Sequence, residues 1–192
     1  LDGSGPAIDY ETIQEIVLEV KLTDLGIGQL EAIETVTISI NDVNEFTPVI
    51  DEVQTNALNE NAAEGTVVAT VIASDEDIFQ SLSYTITAGN TGDAFAISNS
   101  GIITVNSSDA LNFEVNPSFL LTVEVSDDVE TIRTVTQQIN IALTDVNEAP
   151  VLAAFEAQIG RVGEELSITA IASDVDVPAN TLVYSIDTVS QN

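Results

Sequence analysis

The tetrapeptide Asp-Val-Asn-Glu occurs at Asp42–Glu45 and again at Asp145–Glu148, 103 residues on, each time shortly before a proline, Pro48 or Pro150. The same offset relates Asp9-Tyr10-Glu11 to Asn112-Phe113-Glu114, and Asp24 to Asp127. A fixed period of this length makes the chain a tandem array of modules rather than one large core. The repeated residues are mostly carboxylates at module ends, where two neighbours can share a hard cation.

The 192 residues hold roughly two modules' worth of sequence, and 44% hydrophobic residues suffice to fill a core in each. Three basic residues stand against 32 acidic ones, a net charge of −29. That balance repels a phosphate backbone and excludes nucleic acid as a partner, while it attracts cations. Self-repulsion of this size calls for neutralisation, by bound Ca²⁺ or by external salt. The chain has no Cys and no His. Disulfides, thiolate metal sites and any Ser-His-Asp or Cys-His arrangement are therefore ruled out, and the chain does not read as an enzyme. Paired carboxylates of the glycosidase kind would need a cleft that a narrow sandwich rarely offers. No apolar run reaches the length of a membrane span, so membrane insertion is not expected. Starting at Leu1 without a leader, the chain reads as an excerpt of a longer exported polypeptide.

Segments such as Glu15–Val20, Thr35–Ile40 and Leu120–Val125 alternate apolar and polar residues with the period of a half-buried strand. Val67–Ile72, Leu82–Ile86, Ile102–Val105, Gln138–Leu143, Leu166–Ile171 and Leu182–Ile186 are predicted strands of the same kind, rich in Val, Ile and Thr. Glycines punctuate them at the spacing of an all-β sandwich. Residues 46–147 are then one complete seven-strand module. Residues 1–45 correspond to the C-terminal half of such a module, and 148–192 to the N-terminal half of another. Each half alone exposes an apolar sheet face. The two ends either complement one another between copies or within a longer array, or are an arbitrary cut through such an array.

At the first junction Asp9 and Glu11 precede the connection Asp42, Asn44 and Glu45, and Asp75, Asp77 and Asp127 follow it. Stacked end to end, these groups converge from three chain segments and repel strongly without a metal. Isolated acids in so acidic a chain are ordinarily solvated charges. The repeated sets are not isolated. Tyr10, Tyr84, Phe95, Phe113 and Tyr184 are expected to fill cores, and Phe79 and Phe155 are the two aromatics free for a sugar platform. Lys21, among acids in a strand, is expected to form an ordinary ion pair.

Asn59-Glu60-Asn61, Ala73-Ser-Asp-Glu-Asp77, Leu111-Asn-Phe-Glu114, Val125-Ser-Asp127 and Asp145-Val-Asn-Glu-Ala-Pro150 together resemble the cadherin repeat in order and spacing. Ile8-Asp-Tyr-Glu11 with Asp42–Pro48 extends the likeness to the first segment. The resemblance implies tandem immunoglobulin-like Greek-key β-sandwiches, Ca²⁺ at the junctions and an extracellular adhesive or spacer role. Carried over residue by residue, it implies that Asp9, Glu11, Asp42, Asn44, Glu45, Asp75, Asp77 and Asp127 hold metal at the first junction, with the carbonyls of Val43 and Phe46. The second set is Glu60, Asn112, Glu114, Asp145, Asn147, Glu148, Asp174 and Asp176, with the carbonyls of Val146, Ala149 and Asn180.

The chain departs from the family pattern at three places. Glu45 and Glu148 stand where the family has Asp, and Asn112 replaces an Asp, offering an oxygen without charge. The first junction lacks the counterpart of Glu60, whose strand would precede Leu1. The last segment, with Gly160-Arg-Val-Gly163 and Ala172–Leu182, resembles the cadherin-like modules of large bacterial surface proteins. The resulting expectation is a calcium-stiffened structural or adhesive segment of a bacterial extracellular protein. Its partners would be neighbouring repeats or copies of itself. The alternative is a carbohydrate-binding accessory module that binds surface polysaccharide. With no Trp, tryptophan-anchored strand exchange has no donor.

Overall fold

A computed structural model of the chain describes residues 8–78, 80–128 and 131–186. Alternating Val, Leu and Thr residues form a first hairpin of β1 (Glu15–Thr23) and β2 (Glu31–Ser39), antiparallel and in register from Glu15 opposite Ser39 to Thr23 opposite Glu31. Across it Lys21 Nζ meets Glu31 Oε1 at 2.5 Å, the expected ion pair. Both faces of this hairpin are open, leaving Val17, Leu18, Val20 and Leu22 exposed.

The central unit is a two-sheet sandwich, and its strands follow in chain order: β3 (Val49–Thr55), β4 (Leu58–Asn59), β5 (Val67–Ser74), β6 (Ser83–Ala88), β7 (Phe95–Ile97), β8 (Ile102–Val105), β9 (Ser118–Ser126) and β10 (Thr134–Thr144). One sheet has the order β3-β5-β8-β7 and the other β4-β10-β9-β6, with β4 parallel to β10 and the remaining pairs antiparallel. Sequence alternation missed β3, which is bulged between Ile50 and Glu52, and β7, which has three residues, because neither sustains a clean period of two.

The period of two decides which side chains meet in the core. On β9 Phe119, Leu121, Val123 and Val125 point inward, and they pack on Val68 and Val71 of β5, Ile103 and Val105 of β8, and Ile139 and Ile141 of β10. Phe95 meets Phe119 edge to face, with ring centroids 5.0 Å apart. Phe113 and Tyr84 pack against this core, as expected, and Tyr10 is half-buried. Gly101, at φ +75°, lies so close to β5 that a Cβ would stand 2.1 Å from the Val71 carbonyl oxygen.

The third segment departs from expectation. Only β11 (Val151–Leu152) and β12 (Ala172–Ser173) pair, and neither Leu166–Ile171 nor Leu182–Ile186 joins a ladder. In the central sandwich the equivalents of these stretches, β5 and β6, pair with β8 and β9. Among the described residues the third segment has no equivalent of β8 or β9, and its equivalent of β3 pairs only through Val151–Leu152 with Ala172–Ser173. For the same reason Tyr184 is 55% exposed rather than in a core. It lines an open apolar hollow with Leu152, Phe155 and Ile168, and Phe155 is 52% exposed there. Phe79 lies outside the described residues.

This topology sorts the loops by end. The β5–β6 and β9–β10 loops lie at the end of the sandwich entered by residues 40–48. The β4–β5 and β8–β9 loops lie at the end left by residues 145–148.

Candidate metal centre

At the first junction a tight turn presents two acids. Asp9 Oδ1 accepts the Glu11 amide at 3.0 Å, Asp9 Oδ2 accepts the Thr12 hydroxyl at 2.9 Å, and the Ile13 amide returns to the Asp9 carbonyl at 2.8 Å. The linker is fixed from the other side. Asp77 takes the amides of Glu45 (3.4 Å) and Phe46 (2.9 Å) on its two oxygens, and Asp75 Oδ1 in turn accepts the Asp77 amide at 3.0 Å. Asn44, only 7% exposed, donates to Asp127 Oδ2 and to the Thr131 carbonyl, both at 3.0 Å. One carboxylate oxygen each from Asp9, Glu11 and Glu45 lie within 4.8 Å of one another, as do those of Glu11, Asp42 and Asp77. Glu11 belongs to both groups, so it can bridge two positions.

The second junction is built on Glu60, which is 2% exposed. Its Oε1 accepts the Val146 amide at 2.8 Å and its Oε2 the Phe113 amide at 2.7 Å, tying the exit strand to the β8–β9 loop. Oxygens of Glu60, Glu114, Asp145 and Glu148 gather within 4.8 Å. Asp176 accepts the Glu148 amide at 3.1 Å and also the Asn180 side-chain amide, and Asp174 accepts the Asp176 amide at 3.1 Å. Asn180 donates to Asn147 Oδ1 at 3.2 Å, and Asn147 to the Glu148 carbonyl at 3.0 Å. Asn112 is turned to its own loop, where Oδ1 accepts the Val115 amide at 2.8 Å. Val43, Val146 and Ala149 are exposed and Phe46 half-buried.

Crowded carboxylates resist ionising together, and the titration of these groups reflects it. Burial raises the Glu11 carboxyl above its ordinary value, helped by Asp9, Glu45 and Asp42. Burial likewise raises Asp75, beside Asp77 and Asp127, and Asp145, beside Asp176 and Glu60. Glu148 is raised by burial and then by Asp176, Glu60 and Glu114. Two groups go the other way because donors hold their charge. Asp9 is lowered by the Thr12 hydroxyl, and Asp176 by the Glu148 amide.

Both oxygens of Glu11, both of Glu114, Asp75 Oδ2 and Glu148 Oε2 are buried with no hydrogen-bond donor among the described residues. Buried polar atoms ordinarily have partners. An all-oxygen donor set of this charge, without imidazole or thiolate, fits a hard cation such as Ca²⁺. Sequence reasoning missed two residues that the fold brings here. Asn61 Nδ2 donates to Glu148 Oε1 at 2.9 Å, and Arg133 Nη2 to the Asn44 carbonyl at 3.2 Å. The sequence covers each of these positions at one junction only, so the offset carried no signal for them.

Residues 54–144 match the model of the cadherin domain. The central unit of the chain is thus similar to a cadherin domain. It is 35% identical over 196 residues to the protocadherin-like wing polarity protein stan of Drosophila melanogaster, across 96% of this chain and 5% of that protein. It is also 35% identical over 149 residues to human protocadherin Fat 1, across 75% of this chain and 3% of that one. Among solved structures it is similar to mouse cadherin-23 EC22-24, with a TM-score of 0.66 and 29% identity over 88% of this chain and 56% of that one. The cadherin-type β-sandwich expected from the sequence is thus the fold. The chain spans only 3 to 5% of the length of these two curated relatives. No helix among the described residues is long and apolar enough to cross a membrane.

Proposed function

We propose that this chain is a calcium-stiffened segment of an extracellular adhesion protein built of cadherin repeats. The observation that carries this reading is a pair of glutamates 103 residues apart, Glu11 and Glu114, one at each junction, each with both carboxylate oxygens buried and without a donor among the described residues. Ca²⁺ would supply the counter-charge and fill these oxygens. Asp9, Glu11, Asp42, Glu45 and Asp77 would hold it at the first junction, and Glu60, Glu114, Asp145, Glu148 and Asp176 at the second. The remaining acids, amides and carbonyls carried over from the family complete the two shells. The chain's own residues do the mechanical work. Asp77 grips the linker amides at the first junction and Glu60 ties exit strand to loop at the second, and a cation held at each would offset the repulsion that otherwise opens the crevice. Extracellular sites of this kind need affinities only on the order of 10⁻⁴ to 10⁻³ M.

Partners on this reading are neighbouring repeats, in the same polypeptide or in another copy. The first hairpin corresponds to β9–β10 and the last segment to β3–β6, so each supplies strands the other lacks. Light scattering that finds only monomer at high protein and calcium concentration removes the inter-copy version. The bacterial subclass rests on the third segment alone, Gly160–Gly163 and Ala172–Leu182, the relatives named above being animal proteins. The central reading is tested by calorimetric Ca²⁺ titration of the chain beside Glu11→Gln and Glu114→Gln. Saturable binding that each substitution weakens is expected, and a chain that binds no Ca²⁺ at millimolar concentration ends the reading.

A further inference from the structure

Of the three basic residues, Lys21 pairs with Glu31 and Arg161 lies exposed in the third segment. The third, Arg133, stands at the first junction, at the end of the β9–β10 loop. The Arg133 amide donates to Asp127 Oδ1 at 2.9 Å, and the Asp127 amide returns to the Arg133 carbonyl at 3.2 Å, closing the loop on itself. The linker is seated in that closed loop. Asn44 gives its side-chain amide to Asp127 Oδ2 and the Thr131 carbonyl, and its own carbonyl receives Arg133 Nη2 at 3.2 Å. Asp127 is 3% exposed and divides its two oxygens between Arg133 and Asn44. A hydrogen bond from a charged donor in such a half-buried place is roughly twice as strong as a neutral one.

We infer that Arg133 is a metal-independent latch that keeps the linker docked on the central sandwich when the junction holds no cation. The guanidinium is a tethered positive charge that reaches the linker carbonyl through Nη2, and it needs no ion from solution. The Asp9–Glu11 turn has no such tether, since it presents only acids to the junction. Loss of cation should therefore release the turn while Asn44 to Phe46 stay in place. This inference does not depend on calcium binding, and its test is run in chelator.

The test is amide hydrogen exchange by NMR on the chain and on Arg133→Gln and Arg133→Lys, with and without Ca²⁺. In chelator the wild-type chain is expected to keep the Phe46 amide and the Asn44 side-chain amide protected. Arg133→Gln is expected to lose about tenfold of that protection, the cost of one charge-assisted hydrogen bond. Arg133→Lys, which keeps the charge and loses the fork, is expected to fall between them. Unchanged protection of the β9 and β10 amides checks that the sandwich itself is intact. Equal exchange in wild type and Arg133→Gln in chelator overturns the latch, as does a wild-type linker already unprotected there. A wild-type chain whose exchange ignores Ca²⁺ counts against the proposed function and leaves the latch to stand or fall on the chelator data.

Discussion

The two junctions are built from equivalent residues, yet they differ by one charge, with Asp9 at the first where the second has Asn112. At the first, Asp9 and Glu11 face Asp42, Glu45 and Asp77 in two overlapping groups. At the second, neutral Asn112 stands in the place of Asp9, and the centre is Glu60, whose oxygens are occupied by the Val146 and Phe113 amides. The same repeat thus yields two couplings. Both gather carboxylates and both carry part of their order in hydrogen bonds, the first through Asp77 and Asn44 and the second through Glu60.

The largest effect expected from this difference is that of removing metal. At hundredfold excess over its dissociation constant, an ion adds about 2.7 kcal/mol per site. For a unit of this size that is a fall in Tm on the order of 10 °C or more on chelation. Hydrogen exchange should place the greater loss in residues 9–12 and the smaller in 145–148. Equal loosening of the two would break the comparison, and an unchanged melting curve would remove its basis.

Next in size is the anchor. Glu60→Ala leaves two part-buried amides without acceptors and is expected to cost about 2 kcal/mol. The loss should persist without Ca²⁺ and be larger with it, because Glu60 serves protein donors in both states and would also hold the ion. If chelation abolishes the difference between variant and wild type, Glu60 acts through metal alone and the distinction drawn here fails.

A smaller effect follows from exchanging the one charge by which the loops differ. Asn112→Asp keeps an acceptor for the Val115 amide and adds a carboxylate beside Glu114. It is expected to tighten the weaker class of Ca²⁺ sites about tenfold in calorimetry, since ligand charge sets affinity. Asp9→Asn should weaken the first junction correspondingly. Identical isotherms for both variants and wild type would mean that this position sets nothing.

The sandwich was legible because Val, Ile and Thr alternate through β5, β8, β9 and β10, and the same inward residues form the core. The junction acids were legible because they recur at a fixed offset. What escaped has physical reasons. β3 is bulged, and β7 is too short for a period. Leu166–Ile171 and Leu182–Ile186 have the pattern of strands without a ladder to join. Arg133 and Asn61 occur once each, so no repetition marks them, and only the fold brings them against the linker.

The smallest effect separates the two junctions by pH. Asp9 titrates below its ordinary value of 3.8, first because of the Thr12 hydroxyl. A carboxyl lowered in the folded state stabilises it above that ordinary value, and the contribution is lost as pH falls through the folded one. Thr12→Ala removes the leading cause, so in chelator the Asp9 carboxyl carbon should titrate closer to 3.8, measured by NMR. The remaining acceptor role, to the Glu11 amide, keeps the turn formed. At the second junction Asn112 carries no proton to lose, and the matching acid-side dependence there comes from Asp176, held down by the Glu148 amide, which Thr12→Ala should leave unmoved. A titration unmoved by the substitution would mean that Asp9 owes its charge to the surrounding backbone alone, and the first junction would then lose its most local point of difference.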